Sequence, residues 1–181
     1  MAKARLTASQ VRKILGLEPL PLEGGFFAET YRSAGDLEET ARSGLCGGPR
    51  RLATAIYYLL TPESGSALHR LASDEVFHFY LGDPAEMLLL RPDGSGEVIL
   101  LGQDLESGQR PQVVVPGGTW QGCRLCDGGG FALLGCTVSP GFEREDYEHG
   151  DQAALMRAYP AYSDRILALS PRSRRASETL P

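Results

Sequence analysis

His69 and Glu75, six residues apart, are the side chains of this sequence best suited to acid–base chemistry. His69 lies in the run SALHR and Glu75 in the run DEVFHFYLG, and a short turn separates these two strand-like runs. A hairpin of this kind brings the imidazole and the carboxylate together. Both groups transfer protons at neutral pH once a buried site has tuned their pKa values towards neutrality. We therefore predict that His69 and Glu75 act as base and acid on a bound organic molecule.

A tyrosine in the run FFAETYRS is the third predicted catalytic residue. In a regular strand, side chains two residues apart share a face, so Glu29 and Tyr31 are expected on one face and Arg32 on the other. Tyr31 would supply a phenol for proton transfer. A core or interface tyrosine is the alternative interpretation.

Five further polar or aromatic residues are predicted to contact the ligand. They are Glu29, Arg70, His78, Trp120 and Gln121. An ion pair between Arg70 and Asp74 that braces the hairpin is an equally good interpretation of that arginine. His78 alternates with two phenylalanines, so a regular strand places it opposite Glu75, where packing is the alternative to ligand contact.

Short runs rich in β-favouring residues position these side chains. They include TAIYYLL, FHFYLG, AEMLLLR, GEVILLG, PQVVVP, QGCRL and FALLGCTV. Proline and glycine turns separate them, and closely spaced strands without intervening helices indicate a sandwich or barrel. Residues 7–16 predict an opening helix, and residues 151–159 and 166–169 predict short helices outside the barrel. The predicted fold class is all-β with a few short peripheral α-helices.

Length and charge limit the remaining possibilities. The 181 residues suit one domain over residues 1–170, followed by a flexible polar tail over residues 171–181. The 23 acidic and 18 basic residues give a net charge of -5, which argues against nucleic acid or a membrane as the main partner. No apolar run approaches about 20 residues and no signal peptide is evident, so we expect a cytoplasmic protein. Its four cysteines are expected to be reduced thiols, and Cys123 and Cys126 are not expected to bind zinc.

The spacing around His69 resembles the first cupin motif. His69 stands at its first histidine, Glu75 at its glutamate and Gly82 at its closing glycine, whereas Leu71 replaces its second histidine. The second cupin motif is matched at Pro116 and Gly118, and Gln121 replaces its histidine. His69 and Glu75 are therefore the two of four customary metal ligands that remain.

The chain as a whole resembles the cupin family first catalogued as a domain of unknown function, DUF985, or cupin family five, within the sugar-epimerase-like cupins. The resemblance covers roughly residues 9–169 and rests on five segments. They are EGGFFAETYRS, TAIYYLL, HRLASDEVFHFYLG, GQRPQVVVPGGTWQG and GFALLGCTVSPGF. It implies a double-stranded β-helix, or jelly-roll barrel, that forms a homodimer and binds a small molecule in its lumen.

The epimerases that this family resembles work without metal, through a histidine base and a tyrosine acid. We therefore predict a metal-independent isomerase or epimerase that acts on a sugar- or nucleotide-derived metabolite through His69, Glu75 and Tyr31. The alternatives are a non-catalytic ligand-binding or sensor protein, and a metal-dependent oxygenase or lyase. Two ligands suit a transition metal poorly, so no cofactor is predicted, with a weakly bound divalent metal at His69 and Glu75 as the alternative.

Overall fold

Eleven strands and three α-helices form the part of the chain that the computed structural model describes, residues 5–36 and 50–169. The strands are β1 Glu18–Pro19, β2 Phe26–Arg32, β3 Thr54–Leu60, β4 Ser66–Arg70, β5 Asp74–Gly82, β6 Ala85–Leu90, β7 Gly96–Leu101, β8 Gln112–Val115, β9 Trp120–Leu125, β10 Ala132–Ser139 and β11 Glu148–His149. The helices are α1 Ala8–Leu15, α2 Gln152–Ala158 and α3 Ser163–Ala168. The predicted tail and residues 37–49, which include Cys46, lie outside the described residues.

The strands form two antiparallel sheets. One has the order β1-β2-β3-β10-β5-β8 and the other the order β11-β4-β9-β6-β7. Alternating side chains of both sheets meet in one apolar core, which includes Tyr58 and Phe77 from the first sheet and Met87 from the second. Two sheets that pack over a shared core make a closed jelly roll. This confirms the predicted all-β fold.

The three α-helices cover the outer faces of the sheets. Local sequence sets α1, because the side chain of Thr7 caps its first turn and Gly16 ends it with φ of 64°. Val11 of α1 packs on the first sheet, whereas Leu155 of α2 and Ile166 of α3 pack on the second. None of the described helices has the length and apolar character that a membrane-spanning helix requires.

A β-bulge in β2 changes which side chains share a face. Glu29 pairs with Ile56 and Tyr31 with Ala55, so Thr30 is an extra residue. The expectation of a shared face for Glu29 and Tyr31, which assumed a regular strand, is therefore wrong. Glu29 and Arg32 lie on the face that borders the core, and Tyr31 lies on the outer face.

A second bulge lies in β4. Ser66 pairs with Cys123 and His69 pairs with Gln121, so three steps along β4 match two steps along β9. Cys123 and Gln121 both face the interior, because they are two residues apart on one strand. The extra residue in β4 thus lets Ser66 and His69 face the interior together.

Candidate ligand site in the barrel interior

The predicted pair His69 and Glu75 meets Gln121 inside the barrel. His69 lies on β4 directly opposite Gln121 of β9, and Glu75 lies on β5 of the other sheet. Their residue exposures are 2%, 6% and 1% for His69, Glu75 and Gln121. Three polar side chains from three strands are therefore enclosed among apolar ones.

Hydrogen bonds define the state of this cluster. The Nδ1 atom of His69 lies 2.8 Å from the carbonyl oxygen of Ala67, which can only accept, so Nδ1 carries the hydrogen. In the neutral ring, Nε2 therefore presents a lone pair. The amide nitrogen of Gln121 donates to Oε2 of Glu75 at 2.6 Å and lies 3.4 Å from Nε2 of His69. Gln121 thus bridges the two groups that were predicted to transfer protons.

Glu23 is a member of the cluster that sequence reasoning missed. Its Oε2 lies 3.8 Å from Nε2 of His69, and its Oε1 accepts a hydrogen bond of 2.8 Å from Ser66. The loop that carries Glu23 approaches β4 closely, since a Cβ on Gly24 would lie 2.4 Å from the carbonyl oxygen of Gly65. The glycine at position 24, with φ of 96°, permits this approach.

Tyr147, which was also missed, covers His69. The two rings stack with centroids 5.2 Å apart and planes 19° apart, and the Tyr147 hydroxyl lies 3.0 Å from Nδ1 of His149. A buried ion pair of 2.8 Å between Arg50 and Asp146 anchors the segment that precedes Tyr147. A phenol therefore lies beside the imidazole and connects it to an exposed histidine.

Burial raises the pKa of Glu75 to about 7, and the nearby negative charge of Glu23 adds to this effect. His69, Gln121 and Cys136 act in the opposite direction, because they favour the ionised carboxylate. Burial also raises the pKa of the Tyr147 hydroxyl and of the Cys136 thiol, so both stay protonated at neutral pH. Glu75 therefore exists in both protonation states near pH 7.

The structure places Tyr31 away from this cluster. It lies on the outer face of β2 and is 55% exposed. Glu29 and Arg32 form an ion pair of 2.8 Å, and Arg32 also binds Glu143 at 2.9 Å. These charges are partly exposed, and no contact joins them to His69.

His78, Arg70 and Trp120 also lie outside the interior cluster. His78 faces outward on β5, where its Nδ1 lies 3.3 Å from the amide nitrogen of Gln112. Arg70 lies over the Trp120 ring at 4.5 Å and pairs with Glu148 at 2.7 Å. Trp120 packs in the apolar cluster between the second sheet and helices α2 and α3, because Gln121, its neighbour on the strand, takes the inward position.

The interpretation of Arg70 as a partner of Asp74 does not match the structure. Asp74 instead accepts a hydrogen bond of 2.8 Å from the backbone of Gly117. The hairpin is thus tied to the turn that begins the second motif, rather than braced by its own ion pair.

The donor set does not fit the metal site of the cupin motifs. Gln121 directs its amide hydrogens at Glu75, whereas a metal ion needs lone pairs directed at it. Leu71, at the position of the second histidine, supplies no donor at all. Within residues 5–36 and 50–169, no three His, Cys, Asp or Glu side chains are grouped as metal ligands.

A cavity of about 470 Å³ lies on the other side of Glu23. Ser66 lines it as well, together with the turn at residues 61–65, the turn at residues 126–129 and Leu169 after α3. Glu23 thus borders both this cavity and His69.

A jelly roll with an inward histidine, glutamate and glutamine at the two motif positions defines the chain as a cupin. The family model described as "Cupin superfamily (DUF985)" matches residues 9–150, and the chain belongs to this family. This confirms the resemblance drawn from the sequence.

Other members and more distant cupins show how far the likeness extends. An uncharacterised protein of Saccharomyces cerevisiae, YML079W, is 34% identical over 133 residues, 69% of this chain and 66% of the yeast protein, just under two thirds of its length. A hypothetical protein from Leishmania major has a TM-score of 0.81 and 36% identity, over 91% of this chain and 99% of its own. A Shewanella oneidensis protein has a TM-score of 0.81 and 36% identity, over 92% and 98%. Bacillus subtilis oxalate decarboxylase shares the fold alone. It has 12% identity and a TM-score of 0.50, and the match covers 94% of this chain and 40% of its own.

Proposed function

We propose that this chain is a small-molecule-binding cupin that catalyses metal-independent proton transfer, as an isomerase or epimerase of a sugar- or nucleotide-derived metabolite. The observation that carries the proposal is the bridged pair of His69 and Glu75. The neutral ring of His69 presents the lone pair of Nε2, and burial raises the pKa of Glu75 to about 7. General acid–base catalysis is most efficient when the pKa lies near the working pH.

The proposed reaction begins at a C–H bond next to a carbonyl group of the ligand. Nε2 of His69 accepts the proton, and the electron pair of the C–H bond moves into the carbonyl group to give an enol or enolate. A proton then returns to the carbon from protonated Glu75 or from the Tyr147 hydroxyl, which His149 can reprotonate. Tyr147 takes the role for which the sequence indicated Tyr31, because its ring lies against His69.

Solvent-deuterium incorporation tests the reaction. The purified protein is incubated in deuterated buffer with a panel of aldoses, ketoses and nucleotide sugars, and exchange at carbon is followed by NMR. We expect His69→Ala to abolish exchange and His78→Ala, a histidine of the outer face, to leave it unchanged. If no candidate gains deuterium with the native protein, the epimerase proposal fails.

A non-catalytic binding or sensor protein is the second candidate. The enclosure of His69, Glu75 and Gln121 favours it, because a fully buried polar cluster suits a ligand that is held rather than exchanged rapidly. Thermal stabilisation by a compound that is recovered unchanged would support this function. For the third candidate, a metal-dependent oxygenase or lyase, stoichiometric iron, nickel or zinc in metal analysis would be required.

We also propose that the chain forms a homodimer through the outer face of the first sheet. Directly paired residues form a row across this face from Tyr31 through Ala55, Thr137 and Val76 to Val114. Tyr31 and Val114, at the two ends of the row, are 55% and 56% exposed, and exposed apolar side chains on one sheet face are typical of an interface. Light scattering should show a dimer for the native chain and a monomer for Val114→Asp. The cytoplasm stays the predicted location.

A further inference from the structure

The interior cluster has an excess of hydrogen-bond acceptors. Nε2 of His69 presents a lone pair that lies 3.4 Å from the amide nitrogen of Gln121, and the carboxylate of Glu23 faces it at 3.8 Å. The Oε1 atom of Gln121 is buried and has no hydrogen-bond partner in the protein. The whole residue is only 1% exposed. A buried carbonyl oxygen without a donor is unfavourable, so a ligand that donates a hydrogen bond at this point would be stabilised.

The donors of the same cluster are already used. The amide nitrogen of Gln121 donates to Glu75, the hydroxyl of Ser66 donates to Glu23, and the hydroxyl of Tyr58 donates to the carbonyl oxygen of Gly24 at 3.0 Å. A ligand that enters beside Glu23 therefore meets acceptors. The ligand must therefore supply the hydrogen-bond donors.

The charges of the cluster also favour a ligand without an anionic group. Glu23 and Glu75 are two acidic groups in one enclosed space, and the negative charge of Glu23 disfavours a second one at Glu75. The guanidinium group of Arg124, which lines the same cavity as Glu23, has carboxylate partners in Glu86 and Asp127. An anionic ligand would add a further negative charge beside that of Glu23.

We propose that the ligand presents hydrogen-bond donors and a neutral or positively charged group to Glu23, His69 and Gln121, and no carboxylate or phosphate. Hydroxyl groups and an amine, as in an amino sugar, meet these requirements. The inference rests on the proposed function in one respect, namely that the barrel interior binds a small molecule. It adds the chemical class of the ligand group that reaches the interior cluster.

Three probes with the same ring separate the classes: glucosamine, glucose and glucuronate. Binding to the full chain labelled with ¹⁵N is followed at pH 7 and low salt through the side-chain amide signals of Gln121. We expect glucosamine and glucose to shift these signals and glucuronate to bind at least about tenfold more weakly, because like charges repel strongly where water is excluded. Glu23→Gln should reduce the ratio of the Kd of glucuronate to the Kd of glucosamine by about tenfold. Glu106→Gln, which removes an exposed carboxylate, should leave this ratio unchanged.

Two outcomes would overturn the inference. One is binding of glucuronate as tight as that of glucose, and the other is the absence of any shift at Gln121 with all three probes up to their solubility. Should Glu23→Gln fold poorly, Glu75→Gln removes the second carboxylate and gives the same comparison. Preference for glucosamine without deuterium exchange would contradict the catalytic proposal alone, whereas exchange into glucuronate would contradict this inference alone.

Discussion

Replacing Glu75 with glutamine should remove a pH-dependent loss of stability that burial imposes on this protein. Burial raises the pKa of this carboxyl from 4.5 to about 7, so the folded protein binds the proton more tightly than the unfolded chain does. The stabilising effect is complete below the unfolded value of 4.5 and is lost progressively as the pH rises to the folded value of about 7. This direction is the reverse of that for a carboxylate stabilised by an ion pair.

The two pKa values set the size of the effect. Between about pH 5 and about pH 8, proton linkage at this single group lowers the free energy of unfolding by about 2.5 kcal/mol. Glutamine keeps the shape of the side chain and has no proton to release. The native protein should therefore lose about 2.5 kcal/mol more than the Glu75→Gln variant over this interval.

Urea unfolding at both pH values, followed by tryptophan fluorescence or circular dichroism, measures the difference. Glu106→Gln removes one exposed carboxylate and should follow the native protein. A native protein and a Glu75→Gln variant with the same pH dependence, within about 0.5 kcal/mol, would refute the assignment of a neutral-range titration to Glu75.

Three further substitutions test the site and the fold. Tyr147→Phe keeps the ring stack on His69 but removes the hydroxyl, so we expect unchanged melting and about a tenfold to hundredfold slower deuterium exchange. Gly82→Ala should cost about 3 kcal/mol or more in urea unfolding, because its φ is 112° and its Cβ would lie 2.3 Å from a carbonyl oxygen. Asp146→Asn should cost about 3 kcal/mol in the same assay, since it removes the charge of a buried carboxylate that pairs with Arg50 at 2.8 Å.

Each of these has a comparison that could contradict it. Gly94→Ala is the control for Gly82, since its φ is 87° but no atom lies within 4 Å of the added Cβ, and it should cost only about 1 kcal/mol. Equal losses at the two glycines would show that backbone angle alone matters. Full exchange activity in Tyr147→Phe would remove the phenol from the proposed reaction. For Asp146→Asn, unchanged stability would mean that water replaces the ion pair.

The fold and the centre of the site could be predicted from the sequence, because both depend on regular spacing. Two-residue alternation places Glu75 inward and His78 outward, and the motif positions bring Gln121 opposite His69. Jelly-roll pairing then follows from many short strands and their turns. Such signals are local, or they repeat at fixed intervals.

The rest of the site depends on contacts between distant segments that carry no periodic signal. Glu23 approaches His69 through a loop whose path depends on Gly24, and Tyr147 reaches His69 from an irregular segment 78 residues further along the chain. The bulge at Thr30 is also invisible in the sequence, yet it decides that Tyr31 faces outward. A side chain outside a regular element can therefore be assigned only once the backbone path is known.

The extra residue in β4 makes the spacing of the sequence and the conformation of the strand depend on each other. A regular strand with three steps between Ser66 and His69 would turn one of them outward, whereas deleting one residue between them would restore regular alternation with both still facing inward. The carboxylate of Glu23 would then keep both its anchor and its imidazole neighbour. A gap of a single position here, in an otherwise well-aligned relative, is therefore compatible with an unchanged site.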